Sequence, residues 1–299
     1  MQGLLLLNKP KGITSFSAVS RVKRAAHEKR VGHTGTLDPM ATGVLPIFLG
    51  RATSLCSLVL AADKKYIAEI ELGITTDTCD ITGEVLQKRE VKVTNSDIEN
   101  ILEKFKGKIS QIPPMYSALK KDGVRLYDLA RQGKTVEIEP REIEVFDLSV
   151  LKSLDENNRF TVSCHVSKGT YIRSLARDIG EALGCGATLA ELTRTETAGF
   201  DIESCIELDN LNEDNIEGVL LNEEVAVKHL RALSVTKNQA KRFCNGGQLA
   251  FERLNIEKFD EDELLRIKYK DQFLGIGIAD CEKQQVAIKC IINYLEVSE

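Results

Sequence analysis

The chain opens with four consecutive leucines, Leu4–Leu7, closed by Asn8-Lys9-Pro10-Lys11-Gly12. An apolar run this short, ended by a turn, predicts a buried strand over Gly3–Asn8. Thr14 or Ser15 can cap a helix in which Val19, Val22, Ala25 and Ala26 recur at helical spacing. Val31–Leu49 is rich in Gly, Thr and Pro and reads as loop and turn, ending in the apolar run Val44–Leu49. Alternation predicts strands over Lys65–Leu72 and Thr161–Val166. Ser96–Phe105 reads as a helix with Asp97 and Glu99 in its first turn, where negative charge is favoured. Ser174–Leu183 reads as another, closed by Gly184.

Two stretches carry no clear period. Gln111–Glu139 is polar, with Pro113-Pro114 and Gly123, and an ordered loop of that length usually has a function. Asp209–Glu224 is acidic and Asn-rich and reads as an inter-domain linker. Beyond it, Leu265–Tyr269, Phe273–Ala279 and Gln285–Ile292 predict a small β-rich module. Strands and helices do not alternate as βαβ units, so the fold class expected is α+β.

At 299 residues and 42% hydrophobic, the chain can bury a large and a small domain without disulfides. No stretch reaches the roughly 18 apolar residues of a membrane span, and Leu4–Leu7 is too short for a signal peptide, so a cytoplasmic location is expected. The eight cysteines form no C-x-x-C pair and have no spaced His partner, which predicts reduced, packed thiols and no metal site.

The net charge of −5 speaks against nucleic acid, but the charge is unevenly placed. Met1–Lys65 holds ten Lys and Arg against three acids, while Asp201–Glu224 holds nine acids and no base. A second basic stretch holds Lys120, Lys121, Arg125, Arg131 and Lys134. A basic front of this kind can meet phosphates; it is equally ordinary solvated surface.

Four segments offer chemistry. Gly32-His33-Thr34-Gly35-Thr36-Leu37-Asp38-Pro39 combines tight-turn glycines, two hydroxyls, an imidazole and a carboxylate. It lacks the Gly-Lys-Ser/Thr ending of a phosphate-binding loop. Pro39 keeps Asp38 out of the α region and so fixes its direction. Taken alone, Asp38 reads as a turn residue bonded to nearby amides. In Lys168–Asp178, strand alternation would put Tyr171 and Arg173 on one side, ahead of a helix from Ser174; Arg173 could then fork onto a carboxylate or phosphate. Tyr66, after Asp63-Lys64-Lys65, could stack on a nucleobase. Aromatics interleaved with bases in Gln111–Glu139 fit a clamp on nucleic acid. Each segment alone is matched by a bland structural reading.

Their order and spacing resemble one family. NKPKGITS, GHTGTLDPMATGVLPI, DKKY, QIPPMYSALK with GVRLYDLARQG, and KGTYIRSLARDIG are similar to the TruB family of tRNA pseudouridine synthases over about residues 3–200. The resemblance implies a catalytic domain over 1–225, built on a mixed, largely antiparallel sheet with flanking helices. A thumb insertion is implied at about 107–140 and a β-rich, PUA-like RNA-binding domain at 226–299. It implies isomerisation of uridine 55 in the T-loop of tRNA, without cofactor or metal. Asp38 is the implied nucleophile, Tyr66 the stacking residue and Arg173 the partner of the carboxylate. His33, Tyr171 and Leu192 are implied to hold the extruded nucleotide. The T-arm of tRNA is the expected partner of a monomer with no membrane attachment and no obligate protein partner.

Arg173 beside Asp38 is expected to lower its pKa and keep it ionised. The competing readings are an RNA-binding protein without catalysis, which has no need of Asp38, and a glycoside hydrolase, which needs a second acid near it. Modification of other RNAs by the same site stays open.

Overall fold

The structure is a computed structural model that describes residues 1–59, 62–117, 119–121, 123–133, 136–254 and 258–295. Its centre is a ten-stranded mixed sheet. Across that sheet the strands run Ile206–Glu207, Gly3–Lys9, Thr42–Leu49, Ala187–Thr197, Lys64–Leu72, Arg159–Val166, Arg141–Lys152 and Gly107–Gln111. Val31–His33 and Phe200–Asp201 pair off this path. Among the described residues of this sheet, its parallel strand pairings are those of Gly3–Lys9 with Ile206–Glu207 and of Thr42–Leu49 with Ala187–Thr197.

The second parallel pairing is a seam. Thr42–Leu49 and Ala187–Thr197 register only through Thr193↔Thr42 and Arg194↔Gly43, whereas Ala187–Thr197 runs against Lys64–Leu72 along nearly its whole length. Residue 43 must be glycine for the strands to meet there. A Cβ on Gly43, at φ +105°, would lie 2.1 Å from the Arg194 carbonyl oxygen. The half-sheet with Gly3–Lys9 closes over one core of Leu5, Leu7, Leu45, Ile47 and the helix Ser15–Ala25. The other half closes over a second core, which includes Leu37, Met40, Tyr66, Leu192 and the helix Ile172–Ala182.

The helix predicted after Thr14 forms over Ser15–Ala25, with the Thr14 hydroxyl accepting from the Ser17 amide. The one predicted over Ser96–Phe105 forms over Asn95–Lys104, where Thr94 and Asp97 make a capping box. The segment read as turn, Val31–Leu49, contains the short strand Val31–His33. The segment read as aperiodic, Gln111–Glu139, contains the short strands Lys120–Lys121 and Val124–Arg125 and the helix Leu126–Arg131. Within the expected basic stretch, Lys134 and the side chains of Lys120, Lys121, Arg125 and Arg131 lie outside the described residues. Tyr171 and Arg173 do not share a strand. Tyr171 is the N-cap of Ile172–Ala182 and Arg173 is already in its first turn. Asp209–Glu224 packs on the large sheet along its length, because Ile216 is buried in the core under Ser15–Ala25 and Leu221 exchanges backbone hydrogen bonds with Leu4.

The predicted C-terminal strands form as Leu264–Tyr269, Gln272–Asp280 and Gln285–Ile291, in a five-stranded sheet that begins at Arg231–Ser234. Phe273 and Ile276 from this sheet, and Ile292 just after it, share a core with Leu4, Phe48 and Leu55, so the module packs on the large sheet. Among the described residues no helix is long and apolar enough to cross a membrane.

Candidate active site

Asp38 sits in the connection from Val31–His33 to Thr42–Leu49, beside the seam. Four interactions pin this connection. The Thr34 amide donates to the Pro46 carbonyl at 3.1 Å, and the Gly12 amide to the Pro39 carbonyl at 2.8 Å. Ser15 Oγ accepts from the Leu37 amide and donates to the Leu37 carbonyl, both at 2.9 Å. Leu37 and Met40 anchor the loop in the core on either side of Asp38. The acid is thus held at both flanks by the turn Pro10–Gly12 and by the first helix.

Arg173 reaches Asp38 from the other half of the sheet. Its Nε lies 2.9 Å from Oδ2, and Nη2 donates to Oδ1 at 3.3 Å, a two-point fork. The remaining donors are also engaged. Nη1 donates to the Thr78 carbonyl at 3.1 Å and lies 3.6 Å from Asp80 Oδ2, while Nη2 donates to the Tyr116 carbonyl at 2.8 Å. Asp80 accepts from the Thr78 hydroxyl, the Thr82 amide and the Thr82 hydroxyl. Arg173 is 5% exposed, so the guanidinium is a fixed, desolvated support for the carboxylate. The ion pair forms as expected, but the net shift does not. Burial raises the Asp38 pKa more than Arg173 lowers it, and Asp80 adds to the rise.

The neighbouring surface is apolar. Tyr66 and Leu192, each 7% exposed, stand on adjoining strands in the same core as Leu37. Burial raises the Tyr66 phenol pKa, and the guanidinium of Arg194 opposes that rise. Tyr171 enters from the helix N-terminus, its backbone clamped by Gln111: the Tyr171 amide donates to Oε1 at 2.9 Å, and Nε2 donates to the Tyr171 carbonyl at 3.1 Å. Burial raises this phenol as well. The base of the Gln111–Glu139 segment is tied to the same helix, since Ser174 Oγ donates to the Ile112 carbonyl at 2.8 Å.

His33 stands apart from the ion pair. Its Nε2 is 3.1 Å from Thr36 Oγ1, and burial with the nearby charge of Arg194 lowers its pKa, which favours a neutral ring. Two of the expected partners, Asp38 and Arg173, therefore touch directly. Tyr66 and Leu192 join Leu37 and Met40 in the adjoining core, and Tyr171 and His33 border the site.

Several buried polar residues escaped the sequence reading. Arg194 is 1% exposed, with Nε donating to the Val44 carbonyl at 2.8 Å and Nη2 without a partner among the described residues. Lys9 is fully buried, with Nζ donating to the carbonyls of Pro10 and Ile13 at 2.7 and 2.9 Å, and burial lowers its pKa to about 8. Asp80 and Gln111 complete the set. The available signal was a charged residue within an otherwise apolar strand, as Lys9 ends LLLLN and Arg194 follows Leu192-Thr193. Among the described residues no cluster of three His, Cys, Asp or Glu could hold a metal ion.

A half-exposed acid, forked by a fixed, buried arginine and bordered by tyrosines and leucines, can attack an electrophilic carbon or abstract a proton from a planar, apolar-faced substrate. Similarity to known proteins is consistent with that chemistry. The model described as "TruB family pseudouridylate synthase (N terminal domain)" matches residues 23–172, and "tRNA pseudouridylate synthase B C-terminal domain" matches residues 173–233. The chain is 44% identical over 278 residues to the tRNA pseudouridine synthase B of Clostridium tetani, covering 93% of this chain and 95% of that protein. It is 40% identical over 297 residues to that of Clostridioides difficile, covering 97% and 98%. Among solved structures, a Cbf5-Nop10-Gar1 complex matches at 28% identity with a TM-score of 0.74, covering 97% of this chain and 84% of that one. An H/ACA RNP bound to a substrate RNA containing 2'-deoxyuridine matches at 26% identity and TM-score 0.72, covering 99% and 86%. The chain belongs to the TruB family of pseudouridylate synthases.

Proposed function

We propose that this protein isomerises uridine 55 in the T-loop of tRNA to pseudouridine, with Asp38 acting on a uridine flipped out of the loop. The observation that carries the reading is the Asp38–Arg173 fork beside the apolar core that holds Tyr66 and Leu192, in a chain 44% identical to a tRNA pseudouridine synthase B. The reaction breaks the N1–C1′ bond, turns the base and forms a C5–C1′ bond. It exchanges no electrons with a cofactor, and side chains can supply all of its proton transfers.

The target must leave the RNA stack, at a cost of a few kcal/mol. Stacking on Tyr66 returns about 1–3 kcal/mol. Leu192 and Tyr171 are assigned the remaining walls of the pocket, and His33 the hold on the extruded nucleotide from the Gly32–Thr36 turn. Asp38 then acts either as a nucleophile at C1′ or as a base on the ribose that expels uracil through a glycal. Both routes need the carboxylate, and Arg173 holds the same two oxygens in each. Tyr66 or a water takes the final proton from C5.

The segment Gln111–Glu139, rooted on the helix that carries Arg173, suits a thumb that closes on the stem-loop. The catalytic unit is assigned to 1–225, with the thumb at about 107–140. The unit from 226 onward, with its five-stranded sheet, is assigned as a PUA-like RNA-binding module. The protein is assigned as a cytoplasmic monomer acting on tRNA without an obligate protein partner.

The test is incubation of purified protein with unmodified tRNA, followed by chemical mapping of pseudouridine. Signal at position 55 supports the reading; its absence there, with or without signal elsewhere, rejects it.

A further inference from the structure

Lys64 and Arg194 lie against the turn that precedes Asp38, Lys9 is buried within the field of Asp38 and Arg194, and each of the three donates to a backbone carbonyl. Lys9 Nζ donates to Pro10 and Ile13, Lys64 Nζ to Ala62 at 2.5 Å, and Arg194 Nε to Val44. None of the three forms an ion pair among the described residues. The carboxylates that act on them at longer range are committed elsewhere: Asp38 to Arg173, and Asp63 to the His165 ring. Taking a charge out of water without a counter-charge is unfavourable. Burial lowers the Lys64 pKa to about 8, and the charges of Arg194 and Lys168 act in the same direction.

Two of the cations, Arg194 and Lys64, meet at Gly35. A Cβ there, at φ +65°, would fall 2.9 Å from Arg194 Nη1 and 3.5 Å from Lys64 Cε. Above them the turn is open to solvent: Thr36 is exposed, and His33, Gly35 and Lys64 are half-buried. The amides of Gly35 and Thr36 make no hydrogen bond among the described residues, and Arg194 Nη2 is unpartnered. Free amides over a buried, uncompensated positive charge form an anion seat.

We propose that the His33–Thr36 turn and Lys64 bind one backbone phosphate of the RNA substrate, flanking the extruded nucleotide, with Lys9 and Arg194 supplying positive potential from beneath. This rests on the proposed function and adds a subsite to it. Lys64 contacts the phosphate oxygens, the Gly35 and Thr36 amides and the Thr36 hydroxyl donate to them, and the two buried cations act through space. Arg173 is not part of this seat, because its donors are already taken by Asp38, Thr78 and Tyr116. The seat lies on the strand and turn that present Tyr66 and Asp38, so seating the phosphate fixes the ribose against both.

The experiment uses wild-type protein and T-arm stem-loop RNAs in which one or the other phosphate flanking the target uridine is a neutral methylphosphonate. One of the two substitutions should raise KM about tenfold, the loss of one charge-assisted contact. Lys64→Gln should raise KM similarly on unmodified RNA and lower the salt slope by roughly 0.7–1. That methylphosphonate should cost Lys64→Gln no more than about twofold further, and Lys64→Arg should restore most of the affinity. Thr36→Val, in an exposed turn, gives a second variant should Lys64→Gln fail to fold. Insensitivity of the wild type to both methylphosphonates overturns the proposal, as does full multiplication of the two penalties. If no pseudouridine forms in unmodified RNA, the proposed function itself fails; if it forms normally without this coupling, only the phosphate seat fails.

Discussion

Arg194 stands directly opposite Tyr66 where Ala187–Thr197 runs antiparallel to Lys64–Leu72, and its guanidinium opposes the burial that raises the Tyr66 phenol. Cross-strand partners have Cβ atoms about 5 Å apart, so the two side chains share one face of the sheet. The ring of Tyr66 is fixed by the core, while its hydroxyl is tuned by a charge. Tyr66→Phe separates these roles. The variant keeps the stacking surface and should bind a T-arm stem-loop within about threefold of wild type. Its single-turnover rate should fall by about 10²-fold, the usual scale for a lost proton-transfer group. Wild-type turnover by Tyr66→Phe removes the hydroxyl from the mechanism and leaves a water as the acceptor of the C5 proton.

The Asp38 carboxylate makes a sharper prediction. Asp38→Asn keeps the shape of the side chain and the pinned loop, so RNA binding should persist. Turnover should fall by at least about 10⁴-fold, as expected for loss of a nucleophile. Pseudouridine mapping on tRNA, together with a filter-binding measurement on the same preparation, checks both halves.

Burial and Arg173 act on Asp38 in opposite directions, and together they predict a pH profile. The proposed mechanism needs Asp38 as the carboxylate, and burial raises its pKa above the ordinary value of 3.8. Activity should therefore fall with decreasing pH before an exposed aspartate would protonate. Arg173 pulls against that rise. Removing it in Arg173→Met leaves the acid buried without its cation, so the acid limb of kcat/KM should move to higher pH while the rate at its plateau also drops. An acid limb that stays in place shows that Asp38 is not the group being titrated.

Much of this arrangement is legible along the chain, and the failures have physical causes. The leucine run, the Thr14 cap and the alternation of Lys65–Leu72 are local signals, and they produced the elements expected. Ile172–Ala182 begins two residues early because Gln111, sixty residues away, takes the Tyr171 amide and holds it as the cap. Arg141–Lys152 was not foreseen, since its alternation slips at Phe146, where the register with Arg159–Val166 shifts between Val145 and Asp147. Asp38 and Arg173 were assigned to each other through the family's motifs, and the pair forms. Lys9 and Arg194 were overlooked because a lysine or arginine in a sequence is presumed solvated; only the folded sheet shows that neither reaches water.

Lys9 offers a thermodynamic check on that burial. Its pKa falls from 10.5 to about 8 on folding. Below pH 8 the amine is charged in both states, and the folded protein carries the full cost of burying it. Above pH 10.5 it is neutral in both, and the cost is gone. Between these limits the unfolded state binds more protons, so stability rises with pH. The shift corresponds to about 3 kcal/mol. Wild type should gain about that much relative to Lys9→Met between pH 7 and pH 10.5, measured by urea unfolding at each pH. A stability difference independent of pH shows that Lys9 is solvated in the native protein.

The seam between the half-sheets predicts a difference between two glycines. Gly43 has φ +105° and Gly12 has φ +89°, so alanine at either position takes on the strain of left-handed backbone, about 1–2 kcal/mol. Around Gly12 an added Cβ meets nothing within 4 Å, and Gly12→Ala should cost little beyond that strain. At Gly43 the Cβ would lie 2.1 Å from the Arg194 carbonyl oxygen and 2.8 Å from its amide nitrogen. Relief requires the two strands to part at Arg194↔Gly43, one of the two register pairs that join them. Gly43→Ala should therefore cost several kcal/mol more than Gly12→Ala in denaturant unfolding. Because the seam also sets Arg194 beneath the Gly35 turn, the partly opened variant should lose turnover more steeply than stability, measured at a temperature where it remains folded. Equal costs for the two alanine variants would mean that the strands do not approach as closely as the Gly43–Arg194 contact requires.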